Sequence, residues 1–360
     1  MSNKFTGTRI EFHILQSFPV SCLNRDDMGA PKSALIGGVP RARVSSQCWK
    51  RAVRMQMHEL GADTAKRTLL VSAIVKEKCL ELGATEEQAV LCGNCFAAAI
   101  DGSDQDDSNA LAEVSALFFI SDAEAAAVAA KFKENNFAKL PAAILKKICK
   151  ETSQSAQDGL DIALFGRMAA NAPDLNIEAA VAFAHAISTH RVNSEIDFFT
   201  AVDDCKNREE SSGAGHMGSL EFNSATYYRY VSLDLGQLAE TLRTDAIEDA
   251  VALFTKALFL AFPAARQATM SAASPWNYAI ITVRKGQRMQ LPFNDPVKSS
   301  REKPDMVAAS VESLKAQFEA VEHMYGSLFG LKDKIEIAPS RDGNSIDDVI
   351  ASLKKDLAEI

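Results

Sequence analysis

Residues 9–15 alternate, with Ile10, Phe12 and Ile14 on one side and Arg9, Glu11 and His13 on the other. A period of two predicts a half-buried β-strand. A polar stretch follows at 21–43, punctuated by Gly29, Pro31, Gly37, Gly38 and Pro40, and reads as a loop. Ser45 and Ser46 then offer an N-cap for a helix running to about Leu60. On that helix Trp49, Val53, Gln56 and Leu60 share one side, and Lys50, Arg51 and Arg54 share another.

From about 61 to 180 the pattern turns Ala-rich and helical, with separate helices predicted at 123–132 and 142–150 and an acidic loop at 101–108. Residues 176–191 read as a helix that becomes polar. Residues 197–204 carry Phe198, Phe199 and Thr200, residues 206–219 are rich in Ser, Gly and charge, and residues 227–235 alternate again as a strand. Two strand-like arms around a polar tip predict a long hairpin reaching out from the body. A helix at 246–262, a strand at 278–283 and a helical C-terminal part complete the chain. This order suits an α+β, ferredoxin-like sheet-and-helix domain with insertions.

Hydrophobic residues make up 47% of the 360 and charged residues 24%, a globular composition that excludes a disordered or fibrous chain. The formal net charge of −8 argues against a nucleic-acid binder only if charge is spread evenly. It is not. Between Arg25 and Arg54, seven basic residues (Arg25, Lys32, Arg41, Arg43, Lys50, Arg51, Arg54) face only Asp26 and Asp27, a net +5. A basic patch on an acidic protein can hold a polyanion in one groove while the rest of the surface repels it.

The seven cysteines are odd in number and irregularly spaced. The first eight residues lack the apolar core of a signal peptide, and the apolar run 250–262 is too short to span a bilayer. A cytoplasmic protein with reduced thiols is expected. Cys92 and Cys95 form a CxxC pair without a second ligand pair, so buried helix cysteines are expected rather than a metal site. No dinucleotide, P-loop, zinc-protease or nucleophile-elbow motif occurs, and no cofactor is called for. His185, in an apolar run, reads as a satisfied core histidine. Asp203 and Asp204 would need convergent partners to hold a metal. Asp26 and Asp27 follow Arg25 closely enough to pair with it. In the tripeptide Gly166–Arg167–Met168 an exposed methionine could wedge against a base; a core methionine at a helix start fits the same letters.

The segments SCLNRDDMGAPKSALIGGVPRARVSSQCWKRAVR, QDGLDIALFGRMA, AFAHAISTHRVNSEIDFFTAVDD and GAGHMGSLEFNSATYYRY, in this order, resemble signatures of the CasC family, the backbone subunits of type I-E CRISPR Cascade. The likeness is strong over 9–54 and 157–235 and weak over 61–150 and the last hundred residues, apart from RQATMSAASP at 266–275. It implies a modified RNA-recognition-motif palm (1–60, 181–193 and 224–360), helical fingers (61–180) and a thumb hairpin (194–223).

It also implies copies lined up head-to-tail on one CRISPR RNA, which they kink at intervals and present to a target DNA strand. Large, small, foot and guide-processing subunits would be the other partners, with no membrane and no catalysis by this subunit. Carried over by position, Arg25, Lys32, Ser45, Gln47, Lys50, Arg51 and Arg54 would hold the RNA backbone. Met168 would wedge at the kink, Gly166 would let the RNA approach with Arg167 beside it, and Phe199 and Thr200 would pack on the displaced base. Phe198 stands where the family often has Trp. Lys146 and Lys147 are candidates for target DNA, although a solvated helix face accounts for them as well. The competing expectation is a ribonuclease of the same superfamily that cuts target RNA through Asp26 or Asp27.

Overall fold

The computed structural model describes residues 3–103, 110–153, 159–201, 216–242, 246–299 and 305–360. The alternating N-terminal segment becomes strand β1 (Thr8–Ser21), longer than its pattern predicted. A short loop leads to strands β2 (Ser33–Ile36) and β3 (Val39–Val44) and to helix α1 (Ser46–Glu59). The helical block follows as β4 (Lys66–Thr68), α2 (Val71–Glu81), α3 (Glu86–Asp101), β5 (Phe118–Ile120), α4 (Asp122–Glu134), α5 (Ala142–Ser153) and α6 (Leu160–Phe165). The chain returns through β6 (Val181–Phe183) and β7 (Ala186–Ser188) to a hairpin, β8 (Glu195–Ala201) and β9 (His216–Asp234). It ends with α7 (Leu235–Thr241), α8 (Ile247–Leu260), α9 (Gln267–Met270), β10 (Tyr278–Lys285), α10 (Met306–Tyr325), β11 (Leu331–Ile337) and α11 (Ile346–Glu359).

One antiparallel sheet organises these parts, in the order β11-β10-β1-β9-β7-β3-β2, with β6 and β8 also on β9. On one face Ile10, Phe12 and Ile14 pack with Phe254, Val251, Val53 and Leu353, so α1, α8 and α11 cover it. The other face of β1 is not solvated as its polar residues suggested. Glu11 and His13 are buried under α10. Burying a polar group is costly unless it is bonded: the Glu11 carboxylate takes Arg284, the Tyr230 hydroxyl and the Met289 amide, and His13 Nδ1 lies 2.9 Å from the Tyr228 hydroxyl. The helical block has its own core, with Val75, Cys79, Cys92, Phe96, Val128 and Phe132. The cysteines Cys92 and Cys95 are buried on α3, as helix cysteines. Leu160, Ala163 and Leu164 of α6 instead join the sheet core.

Four sequence readings are corrected. The 21–43 stretch contains the β2–β3 hairpin, whose turn residues Gly37 and Gly38 both have positive φ, the backbone of a tight two-residue turn. Residues 176–191 form β6 and β7 rather than a helix. Val181 pairs with Leu233 and Ala186 with Val44, so sheet pairing overrides the helix propensity of the alanines. The strand β11 falls in the C-terminal part expected to be helical. The buried side of α1 carries Met57 where Gln56 and Leu60 were expected. The helix predictions at 123–132, 142–150 and 246–262 and the strand at 278–283 match α4, α5, α8 and β10. Most of the acidic loop at 101–108, the metal candidates Asp203 and Asp204, and the hairpin tip lie outside the described residues. Among the described residues no helix is long and apolar enough to cross a membrane.

Candidate nucleic-acid interface

The loop after β1 is built to deliver charge to the start of α1. Asp26 Oδ1 accepts the amides of Met28 and Ala30, both at 2.9 Å, which closes the loop on itself. The Asp26 carboxylate thus organises a turn rather than simply pairing with Arg25, which is exposed. The Asn24 carbonyl accepts the Lys32 amide, and Asn24 Oδ1 accepts the Ser45 amide at 2.9 Å, so the loop is fastened to the helix start. The Arg43 amide donates to the Lys32 carbonyl. Ser45 is the N-cap of α1, its hydroxyl accepting the Cys48 amide. Gln47 stands exposed one residue into the helix and accepts from the Ser46 hydroxyl.

Lys32, Arg43, Ser45, Gln47, Lys50 and Arg51 therefore gather around one helix end. Partial burial pushes the Lys50 amine down. Burial also raises the Cys48 thiol, against the opposing charges of Lys32 and Arg51. His185, expected in the core, is exposed on the β6–β7 turn, with Nδ1 3.2 Å from the Ser46 amide nitrogen. Its pKa is held below the ordinary value by partial burial and then by Arg43 and Lys32. The Ala-rich letters around it contain no signal for this position.

Several arginines that swelled the apparent charge are spoken for inside the fold. Arg41 is fully buried and donates to the carbonyls of Ser188, Thr189 and Phe293. Arg54 reaches away from the patch: its Nε lies 2.5 Å from Asp161 Oδ2, its Nη2 donates to the Ala65 carbonyl, and it stacks over Phe119. Arg167 is only 3% exposed. Its guanidinium donates to the carbonyls of Leu175 and Phe119 and pairs with the buried Glu124 at 2.7 Å. Burial makes Arg167 unavailable to a phosphate, a correction to its expected place beside the RNA.

Gly166 is also explained within the chain. Its φ is +77°, and a Cβ there would stand 2.9 Å from the Ile177 carbonyl oxygen and 3.1 Å from Ala179. The close approach it permits is to residues 177–179 of this chain. Met168, two residues on, is 79% exposed, which rules out the core reading of its side chain.

On the β8–β9 hairpin, Phe199 pairs with Gly218 and Thr200 with Met217. The Phe199 ring lies over Gly218, where a Cβ would meet it at 2.5 Å. Consecutive strand residues face opposite ways. Phe199 and Thr200 therefore cannot cover one base from the same side. Ile196, Phe198, Thr200 and Met217 share the opposite face to Phe199, and Ile196, Phe198 and Met217 are large exposed apolar side chains. Sequence reasoning had the alternation in hand but missed Met217, because register, not local pattern, brings it there. Lys146 and Lys147 lie on α5, where Lys147 is exposed and reaches Glu151 at 3.8 Å. Among the described residues no group of three or more His, Cys, Asp or Glu could hold a metal ion.

A sequence model for the family of CT1975-like proteins matches residues 10–351. No curated protein matches. Among solved structures, a chain described as "CRISPR RNA-guided surveillance complex, pre-nicking" is similar at 26% identity and a TM-score of 0.82, over 97% of this chain and 100% of that one. A second, described as "CRISPR RNA-guided surveillance complex", shares the fold at 24% identity and a TM-score of 0.69, over 96% of this chain and 99% of that one.

Proposed function

The chain belongs to the family of CT1975-like proteins, and from that membership we propose that it is a CRISPR RNA-binding backbone subunit of a Cascade-type surveillance complex, of the type I-E kind. The observation that carries this reading is the end-to-end correspondence with a chain of a CRISPR RNA-guided surveillance complex. The basic cluster around the start of α1 supports it. A backbone binder needs contacts indifferent to sequence, and Lys32, Arg43, Lys50 and Arg51 for phosphates, with Gln47 as an amide donor, supply that chemistry.

In this reading the sheet is a modified RNA-recognition-motif palm, the helical block is the fingers and the β8–β9 hairpin is the thumb. Copies line up head-to-tail in the cytoplasm on one CRISPR RNA, beside large, small, foot and guide-processing subunits, and hold the RNA for pairing with a target DNA strand. Contact between two different surfaces that does not close generates a helical filament, not a ring. Met168 wedges between bases where the RNA kinks. The hairpin meets the displaced base with one face only, either Phe199 or the Phe198–Thr200–Met217 side.

The subunit binds and does not cut; the use of Asp26 Oδ1 by its own loop amides supports this against the ribonuclease alternative. Two measurements on the assembled complex test the reading. Native mass with a guide lengthened by one repeat should show one added subunit, and an unchanged mass would refute filament assembly. Incubation with matched RNA and a divalent metal should leave the RNA whole, and cuts at a regular interval would establish the ribonuclease.

A further inference from the structure

His185 occupies an unusual position for an exposed histidine. The ladder between β3 and β7 sets Ala186 opposite Val44 and Ile187 opposite Arg43, which carries the preceding residue, His185, to the start of α1. There its Nδ1 faces the Ser46 amide at 3.2 Å. A backbone amide nitrogen only donates, so Nδ1 is the bare ring nitrogen and the proton sits on Nε2. No partner for Nε2 occurs among the described residues. Around the ring stand Arg43 and, joined to it through the backbone, Lys32. A protonated ring would set a third cation beside these two and turn an N–H against the Ser46 N–H. Partial burial and the two cations hold its pKa below the ordinary value, which keeps the ring neutral near pH 7.

We propose that His185 is a neutral hydrogen-bond donor to the guide strand: its Nε2–H, aimed by the Ser46 amide, binds a phosphodiester oxygen whose charge Lys32 and Arg43 neutralise. This rests on the RNA-binding reading above and adds to it a residue that binds without releasing a counterion. Lys32 and Arg43 each contribute about 0.7 to the log–log salt slope on a single strand. His185 contributes to affinity and not to slope. The two amino-acid types thereby become separable in one titration.

The experiment uses the full chain and a fluorescein-labelled single-stranded RNA oligonucleotide, read by anisotropy over a series of KCl concentrations near neutral pH, with the Tm of every variant measured alongside. His185→Ala should weaken binding roughly threefold to tenfold, the size of one hydrogen bond, at an unchanged salt slope and Tm. His185→Gln, whose side-chain amide nitrogen reaches the place of Nε2, should retain most of the affinity. His185→Asn, which reaches only the place of Nδ1, should behave like alanine. The double variant Lys32→Ala/Arg43→Ala should lower the slope by about 1.4. The proposal is overturned if His185→Ala lowers the slope, which would make the ring a cation, or if Gln fails to rescue, which would make its role one of shape. It is equally overturned if His185→Ala binds as wild type while the double variant loses slope, an outcome that leaves the RNA-binding reading standing. A double variant with unchanged affinity and slope removes that reading itself, and this inference with it.

Discussion

The division of the arginines and lysines into those that hold the fold and those free to hold RNA has a quantitative consequence. Lys50 and Arg51 lie on α1 with no ion pair among the described residues, whereas Arg54, one turn on, is tied to Asp161. Each phosphate contact on a single strand contributes about 0.7 to the slope of log affinity against log salt. Lys50→Ala/Arg51→Ala should therefore flatten the slope by about 1.4 and leave Tm nearly unchanged. Arg54→Ala should do the reverse. It strands the Asp161 carboxylate, fully buried, with the Ala65 amide at 2.8 Å as its remaining bonded partner. Breaking a buried pair by removing one partner costs roughly 3–5 kcal/mol. The Arg54 side chain is 19% exposed, so water screens part of the interaction and the lower end, about 3 kcal/mol, applies. At about 2 °C per kcal/mol for a chain of this size, Tm should fall on the order of 6 °C. The assays are RNA anisotropy over a KCl series and differential scanning calorimetry on the same preparations. An unchanged slope in the Lys50/Arg51 variant would refute the reasoning and return the α1 face to ordinary solvated charge. A lowered slope with unchanged Tm in Arg54→Ala would show that Arg54 is a ligand of RNA after all.

Met168→Ala should leave the assembled complex intact, because the phosphate contacts remain, and weaken target DNA binding by roughly fivefold to a hundredfold, the about 1–3 kcal/mol scale of one lost stacking contact. A position-by-position mismatch scan on both complexes should show harmless mismatches at one fixed interval along the guide; a scan without that interval would count against base displacement by this subunit. Gly166→Ala should cost about 1–3 kcal/mol in urea unfolding, since it combines a φ of +77° with a Cβ 2.9 Å from the Ile177 oxygen, and a neutral result would mean the backbone there relaxes freely. Burial, and then the charge of Arg284, hold the His13 imidazole at about 3, below the ordinary 6.5. As pH falls the unfolded chain takes up this proton first, so the stability His13 contributes is complete above 6.5 and is lost between 6.5 and 3. Between pH 7 and 5 the wild type should lose about 2 kcal/mol more than His13→Asn in urea unfolding, and parallel pH profiles would contradict this.

Much of the architecture was legible in the sequence because it follows from local periodicity. Alternation at 9–15 and 227–235 marked β1 and β9, Ser45 marked the start of α1, and the Ala-rich block marked α2 to α6. The ordered segments that resemble CasC pointed to RNA before any geometry was known, and the exposure of Met168 suits that expectation. What the letters could not show is which charges are already used. Arg25, Arg41, Arg51 and Arg54 read alike as basic residues in one patch. Yet Arg41 finds the Phe293 carbonyl 252 positions away and Arg54 finds Asp161 107 positions away, while Arg25 and Arg51 stay exposed. The same holds for His185, which local apolarity assigned to the core and strand pairing carried to the surface beside Ser46. Alanine-rich 176–191 has the local pattern of a helix, but β9 and β3 offer it sheet pairing at 181–183 and 186–188. Outside β6, β7 and β11, secondary structure here follows spacing and capping over a few residues. The free energy of a buried charge is decided by partners that only the folded chain brings within 3 Å of it, which is why the elements were visible in the sequence and the division of labour among its cations was not.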